Sequence, residues 1–75
     1  MDIDKKFDCT GFFCPMPVVK TKLELEKLDS GQILKVIADD PGSKEDFPAW
    51  CSETGHKLLD TDEDNGDFIF YIVKK

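Results

Sequence analysis

The sequence predicts an α/β fold: a two-layer α/β sandwich of order βαβαββ, with a mixed four-stranded sheet and two helices on one face. Three observations carry it. Strand-like runs alternate with helix-like runs through the first two thirds of the chain. The first two strand-like runs are joined by a helix long enough for a parallel crossover. The run Asp64-Asn65-Gly66-Asp67, flanked by strand-like residues, marks a closing hairpin, because both central positions of such a turn need positive φ.

Taken in order, Ile3 to Cys9 alternate loosely and form the first strand. After a turn at Gly11, the run from Pro15 to Leu28 (PMPVVKTKLELEKL) has proline where a helix tolerates it and strong helix formers thereafter. Asp29-Ser30-Gly31 ends this helix. Gln32 to Ala38 is the second strand, broken by Asp39-Asp40-Pro41-Gly42. The second helix lies within Ser43 to Thr54; of Ser43 and Asp46, Asp46 is the preferred N-cap because it puts Pro48 in the first turn, where no N–H is needed. Gly55 closes it, and His56 to Asp62 then pairs with Asp67 to Val73. With 75 residues, the chain is expected to form one domain over positions 1–75, near the lower size limit for a self-sufficient core.

Composition narrows the function. With 40% hydrophobic and 35% charged residues the chain is that of a folded globular domain, and no apolar run approaches the ~18 to 20 residues of a membrane span. The opening MDIDKKFDC lacks the apolar stretch of a signal peptide, so the expected location is cytoplasmic, without membrane insertion. The net charge is -6 and all ten basic residues are lysines. Direct nucleic-acid binding is not expected of such a chain, since the bidentate contacts of arginine are missing.

The three cysteines are an odd number, too few for a disulfide scaffold, and in a reducing compartment they would stay free. Cys9 and Cys14, with Cys51 and His56, have a nominal zinc spacing, but His56 should lie about 15 Å away at the other end of the second helix. The same separation opposes a Cys-His hydrolase. Asp60, Asp62 and Asp64 suggest a calcium loop, yet the sixth position is Asn65 and the twelfth Tyr71, so no metal is expected. Cys51 shares a helical face with Phe47 and Thr54 and reads as a packing residue.

Cys14 differs. As N-cap, it would precede Pro15 and Pro17, leaving the Met16 amide as the early donor facing the sulfur, with the helix dipole favouring the thiolate. Asp39 and Asp40, at the same sheet edge, oppose ionisation, so moderate activation is expected. Along the first helix, Val18, Thr21, Leu25 and Leu28 form the core face. Met16, Val19 and Leu23 form a second apolar stripe, either more core or a surface for docking partners.

The run Asp8-x-x-Gly11-x-x-Cys14-Pro15-x-Pro17, followed by Lys22, Leu25, Leu28, Gly31, Leu34, Val36, Asp39-Asp40-Pro41-Gly42, Asp46, Pro48 and Trp50, resembles the TusA family of small sulfur carriers, also called SirA-like. The resemblance covers nearly the whole chain and implies that Cys14 carries sulfane sulfur as a persulfide. It implies a donor, whether a cysteine desulfurase, a rhodanese-like protein or thiosulfate, and an acceptor protein. It also implies a carrier rather than an enzyme turning over alone, with no organic cofactor. Two other classes stand beside it: a dithiol redox protein using Cys9 and Cys14, and an interaction module in which Cys14 is structural.

Overall fold

The computed structural model describes residues 2–13 and 15–75. It has the expected order, β1 (Lys5–Asp8), α1 (Met16–Leu25), β2 (Ile33–Ala38), α2 (Ser43–Thr54), β3 (Lys57–Asp64) and β4 (Asp67–Val73). The strands form one four-stranded sheet of order β1-β2-β4-β3. β1 runs parallel to β2, while β4 is antiparallel to both β2 and β3.

Alternation along the strands decides which face is core. Leu34, Val36 and Ala38 of β2 point to the helices, opposite Ile72, Phe70 and Phe68 of β4. Phe7, one strand further on the rung of Val36, shares that face. Leu25 from α1 and Phe47 and Cys51 from α2 complete the cluster, with Phe47 stacked on Phe70 at 4.5 Å between centroids. The edge strand β3 contributes only Leu58 to this packing and is otherwise exposed.

Several boundaries differ from those the sequence suggests, each for a physical reason. The cap of α1 is Pro15 rather than Cys14, which puts Pro17 at the second helical position, where its missing N–H costs no intrahelical bond. The helix ends at Leu25, not Leu28: Lys27 and Leu28 make tighter turns onto the carbonyls of Glu24 and Leu25, and the Lys74 ammonium also donates to the Leu25 carbonyl at 2.7 Å. α2 starts at Ser43, with Gly42 as cap, because the Asp46 amide already donates to the Gly42 carbonyl at 2.9 Å. Asp46 is therefore inside the helix and so is Pro48; the carbonyl that Pro48 leaves without a donor belongs to exposed Lys44, which solvent can satisfy. β3 runs on to Asp64, with an irregularity between Leu58 and Asp60 that leaves Leu59 exposed. The hairpin turn is as expected: Asn65 and Gly66 both have positive φ, 52° and 85°.

Two thiols belong to the core. Cys9 is fully buried and its Sγ donates to the Ile37 carbonyl at 3.1 Å. Its pKa is pushed up to about 11 by burial first, then by the charges of Asp8 and Asp39. Cys51 is pushed up to about 11 by burial alone. Both groups have folded pKa values above the ordinary 9.0, so their contribution to stability is complete below pH 9.0 and is lost as the pH rises towards 11. Urea denaturation midpoints should accordingly fall between those pH values, and Cys51→Ala should flatten the fall.

Thr21 is also fully buried, on the core face of α1, and its hydroxyl has no hydrogen-bond partner among the described residues. An unsatisfied buried hydroxyl is destabilising, so the isosteric Thr21→Val should stabilise the protein by about 1 kcal/mol. Thermal denaturation would show this as a rise of roughly 4–8 °C for a domain of this size, and a fall would mean that the hydroxyl is satisfied.

Candidate functional site

Parallel pairing brings the carboxyl ends of β1 and β2 side by side, so the loop after β1 and the turn after β2 share one end of the sheet. Cys14, which the sequence singles out within this loop, lies outside the described residues. The residues around it form a series of short-range hydrogen bonds. Asp8 Oδ1 accepts from the Thr10 amide at 2.9 Å and from its hydroxyl at 2.8 Å, which holds the Asp8 carboxyl below the usual range. The Phe12 amide reaches the Cys9 carbonyl, and the Met16 amide donates to the Phe13 carbonyl at 2.8 Å.

This last bond corrects the expectation that the Met16 amide faces the sulfur: a backbone carbonyl already takes it. The same turn explains why Pro15 rather than Cys14 caps the helix, since it folds the chain into α1 one residue later than the proline spacing suggests.

Across the gap between the strands, the Gly11 amide donates to Asp39 Oδ1 at 2.9 Å. Gly11 has φ of +88°, a backbone that disfavours any Cβ, and this conformation aims its amide at β2. Of the two acids that the sequence places here, Asp39 ties the loop down, while Asp40 Oδ1 accepts from the Gly42 amide at the start of α2. Pro17 is buried beneath the loop; Pro15 is exposed.

The second apolar stripe of α1 is surface, not core: Met16, Val19 and Leu23 are 41%, 43% and 53% exposed. Phe12 and Phe13, at 40% and 77%, extend it past the cysteine loop. The sequence carried the signal in the paired aromatics before Cys14, which the helical stripe alone did not include. Lys20, which borders the stripe in the sequence, sets its ammonium 4.6 Å from the Phe12 ring centre, over the aromatic face. Phe7, Phe12, Lys20, Leu23, Glu24 and Lys27 line a shallow hollow of about 250 Å³ on this flank.

His56 is at the opposite end of the sheet, after α2. Its Nδ1 accepts the Lys75 amide at 3.0 Å and its ring lies 5.3 Å from that of Trp50. Burial, followed by the charges of Lys74 and Lys75, lowers its pKa, so it is a neutral structural residue at pH 7. Among the described residues no His, Cys, Asp and Glu side chains gather in a group that could hold a metal ion.

Comparison with known proteins converges on one family. The family described as "Sulfurtransferase TusA" matches residues 5–74. The sulfur carrier protein TusA of Allochromatium vinosum is 44% identical over 73 residues, 97% of this chain and 96% of that protein. The putative sulfur carrier protein YrkI of Bacillus subtilis is 45% identical over 75 residues, covering 100% of this chain and 99% of its own length. The crystal structure of a SirA-like protein from Desulfitobacterium hafniense superposes with a TM-score of 0.79 and 27% identity, covering 92% of this chain and 95% of that one. With its fold, its length and its sequence all matched, the chain belongs to the TusA family of sulfur carriers.

Proposed function

We propose that this sulfur carrier holds its cargo as a persulfide on Cys14. One observation supports the choice of thiol: Cys9 and Cys51 are buried, with pKa values pushed up to about 11. At neutral pH their thiolate fraction is on the order of one in ten thousand, and a buried sulfur offers a donor no line of approach. Cys14 is the remaining thiol, and its neighbours Phe13 and Pro15 are both exposed. The same burial, with the bond from Cys9 Sγ to the Ile37 carbonyl, weighs against a dithiol mechanism between Cys9 and Cys14.

The chemistry is substitution at sulfur. The Cys14 thiolate attacks the outer sulfur of a donor persulfide; a new S–S bond forms, the donor S–S bond breaks, and the donor departs as a thiolate. With thiosulfate as donor, sulfite departs instead. Delivery is the reverse step, in which an acceptor thiolate attacks the outer sulfur on Cys14 and Cys14 leaves. One sulfane sulfur moves each time with no net oxidation, so the carrier needs neither an organic cofactor nor a metal. A cysteine desulfurase or a rhodanese-like protein suits the donor role and a second protein thiol the acceptor role. No described helix is long and apolar enough to cross a membrane, and a reducing compartment such as the cytoplasm would keep the thiol available.

The exposed stripe of Met16, Val19 and Leu23 would be gripped by donor and acceptor in turn, since contiguous apolar surface beside a reactive group marks an interaction site. Cys14→Ser should abolish sulfur loading, read as the mass increment of one sulfur after incubation with a donor, while Cys51→Ala should load normally. Loading of Cys14→Ser at the wild-type rate would refute the assignment. Val19→Gln with Leu23→Gln should slow transfer from a protein donor about tenfold or more, with loading from thiosulfate and thermal stability little changed.

A further inference from the structure

Both helices lie on one face of the sheet, and the other face has no element packed against it. Its residues follow from the register. Ile33, Lys35 and Ile37 of β2 stand opposite Val73, Tyr71 and Ile69 of β4, all on the side away from the core. The five apolar side chains make a central band; Ile69 is nearly buried by its neighbours and the others are half-buried. The charged residues on this face flank the band on both sides. On the β1 side, Lys6 lies next to Lys35, whose ammonium is 5.9 Å from the Tyr71 ring centre. On the β3 side, Asp60 and Asp62 lie next to Tyr71 and Ile69. Neither Lys6 nor Lys35 makes an ion pair with any described residue.

Lys6, Lys35, Tyr71 and Asp60 occupy one rung of the sheet. A two-fold axis parallel to the strands, lying over the apolar band, exchanges the two sides of the sheet but keeps every rung at its own height. Lys6 of one copy then stands over Asp60 of the other, and Lys35 over its Tyr71 ring, twice by symmetry. On the rung of Ile33 and Val73, Asp4 and Lys57 are matched in the same way. Only the rung of Ile37 and Ile69 sets like charges together, Asp8 against Asp62, and the Asp8 carboxylate is turned back onto Thr10.

We propose that the helix-free sheet face is the interface of a weak two-fold dimer of this chain. Strand spacing of about 4.8 Å and a rise of about 3.3 Å per residue give a face of roughly 20 by 20 Å, below the size of stable interfaces, so the association is weak and concentration-dependent. The axis keeps the two cysteine loops at the same end of the assembly. It also leaves α1 and its apolar stripe, on the far side of each sheet, free for other proteins.

Sedimentation equilibrium of the full chain from about 5 to about 500 µM tests this. The wild type should pass from monomer to dimer across the range. Lys6→Glu alone and Asp60→Lys alone should each weaken self-association at least about tenfold, because each sets like charges face to face. The double variant Lys6→Glu/Asp60→Lys, and an equimolar mixture of the two single variants, should both recover it, since opposite charges meet again under the two-fold operation. Circular dichroism confirms that each variant is folded. A wild type that stays monomeric throughout overturns the proposal, as does a dimer that either single variant leaves unaffected or that the swap fails to restore.

Discussion

The hydrogen bond from the Gly11 amide to the Asp39 carboxylate connects the two strand ends on which the rest of this end of the molecule depends. It exists only because β1 and β2 run parallel, which in turn requires α1 to cross over between them. The crossover fixes where α1 begins, and the loop before it is held at both ends, by Asp39 at Gly11 and by the Phe13 carbonyl at Met16. The placement of the loop proposed to carry sulfur is thus a consequence of strand direction. An antiparallel pair would have set its ends at opposite edges.

The same placement supplies electrostatic selectivity among the thiols. Asp8 and Asp39 raise the pKa of Cys9 beyond what burial achieves alone, so the carboxylates that organise the loop also keep the neighbouring core thiol protonated. Cys51, remote from both, is protected by burial. Both core thiols are thereby poor nucleophiles, which suits the proposed loading of Cys14.

Much of the fold was legible because it is written in local chemistry. Asn65-Gly66 demands its turn wherever it falls, and the alternation in β2 and β4 fixes the core face without knowledge of the partners. The errors come where two local signals compete or where a distant residue decides. Asp46 followed by Pro48 looks like a helix start, but the turn from Asp40 to Gly42 begins α2 earlier and buries Ser43. The pattern through Leu28 is helical, yet Lys74, from the far end of the chain, binds the Leu25 carbonyl where α1 stops. At the site, the sequence pointed to Cys14, Asp39 and Gly11; it could not show that the Met16 amide is consumed by Phe13, because that depends on how the turn closes.

The exposed carboxylates of β3 have a consequence for solubility. An eight-residue outer strand turns backbone groups towards solvent on its free side, a template for the strand of another molecule, although the Thr61 and Glu63 amides already donate to the Asp60 and Asp62 carboxylates. Asp60, Asp62, Glu63 and Asp64 make any second copy approaching along that edge meet negative charge at four of the strand's eight positions. The protection is electrostatic and therefore conditional. In concentrated salt, which screens exposed charges, the margin of the sheet loses its guard, and precipitation should begin there while the core is still folded.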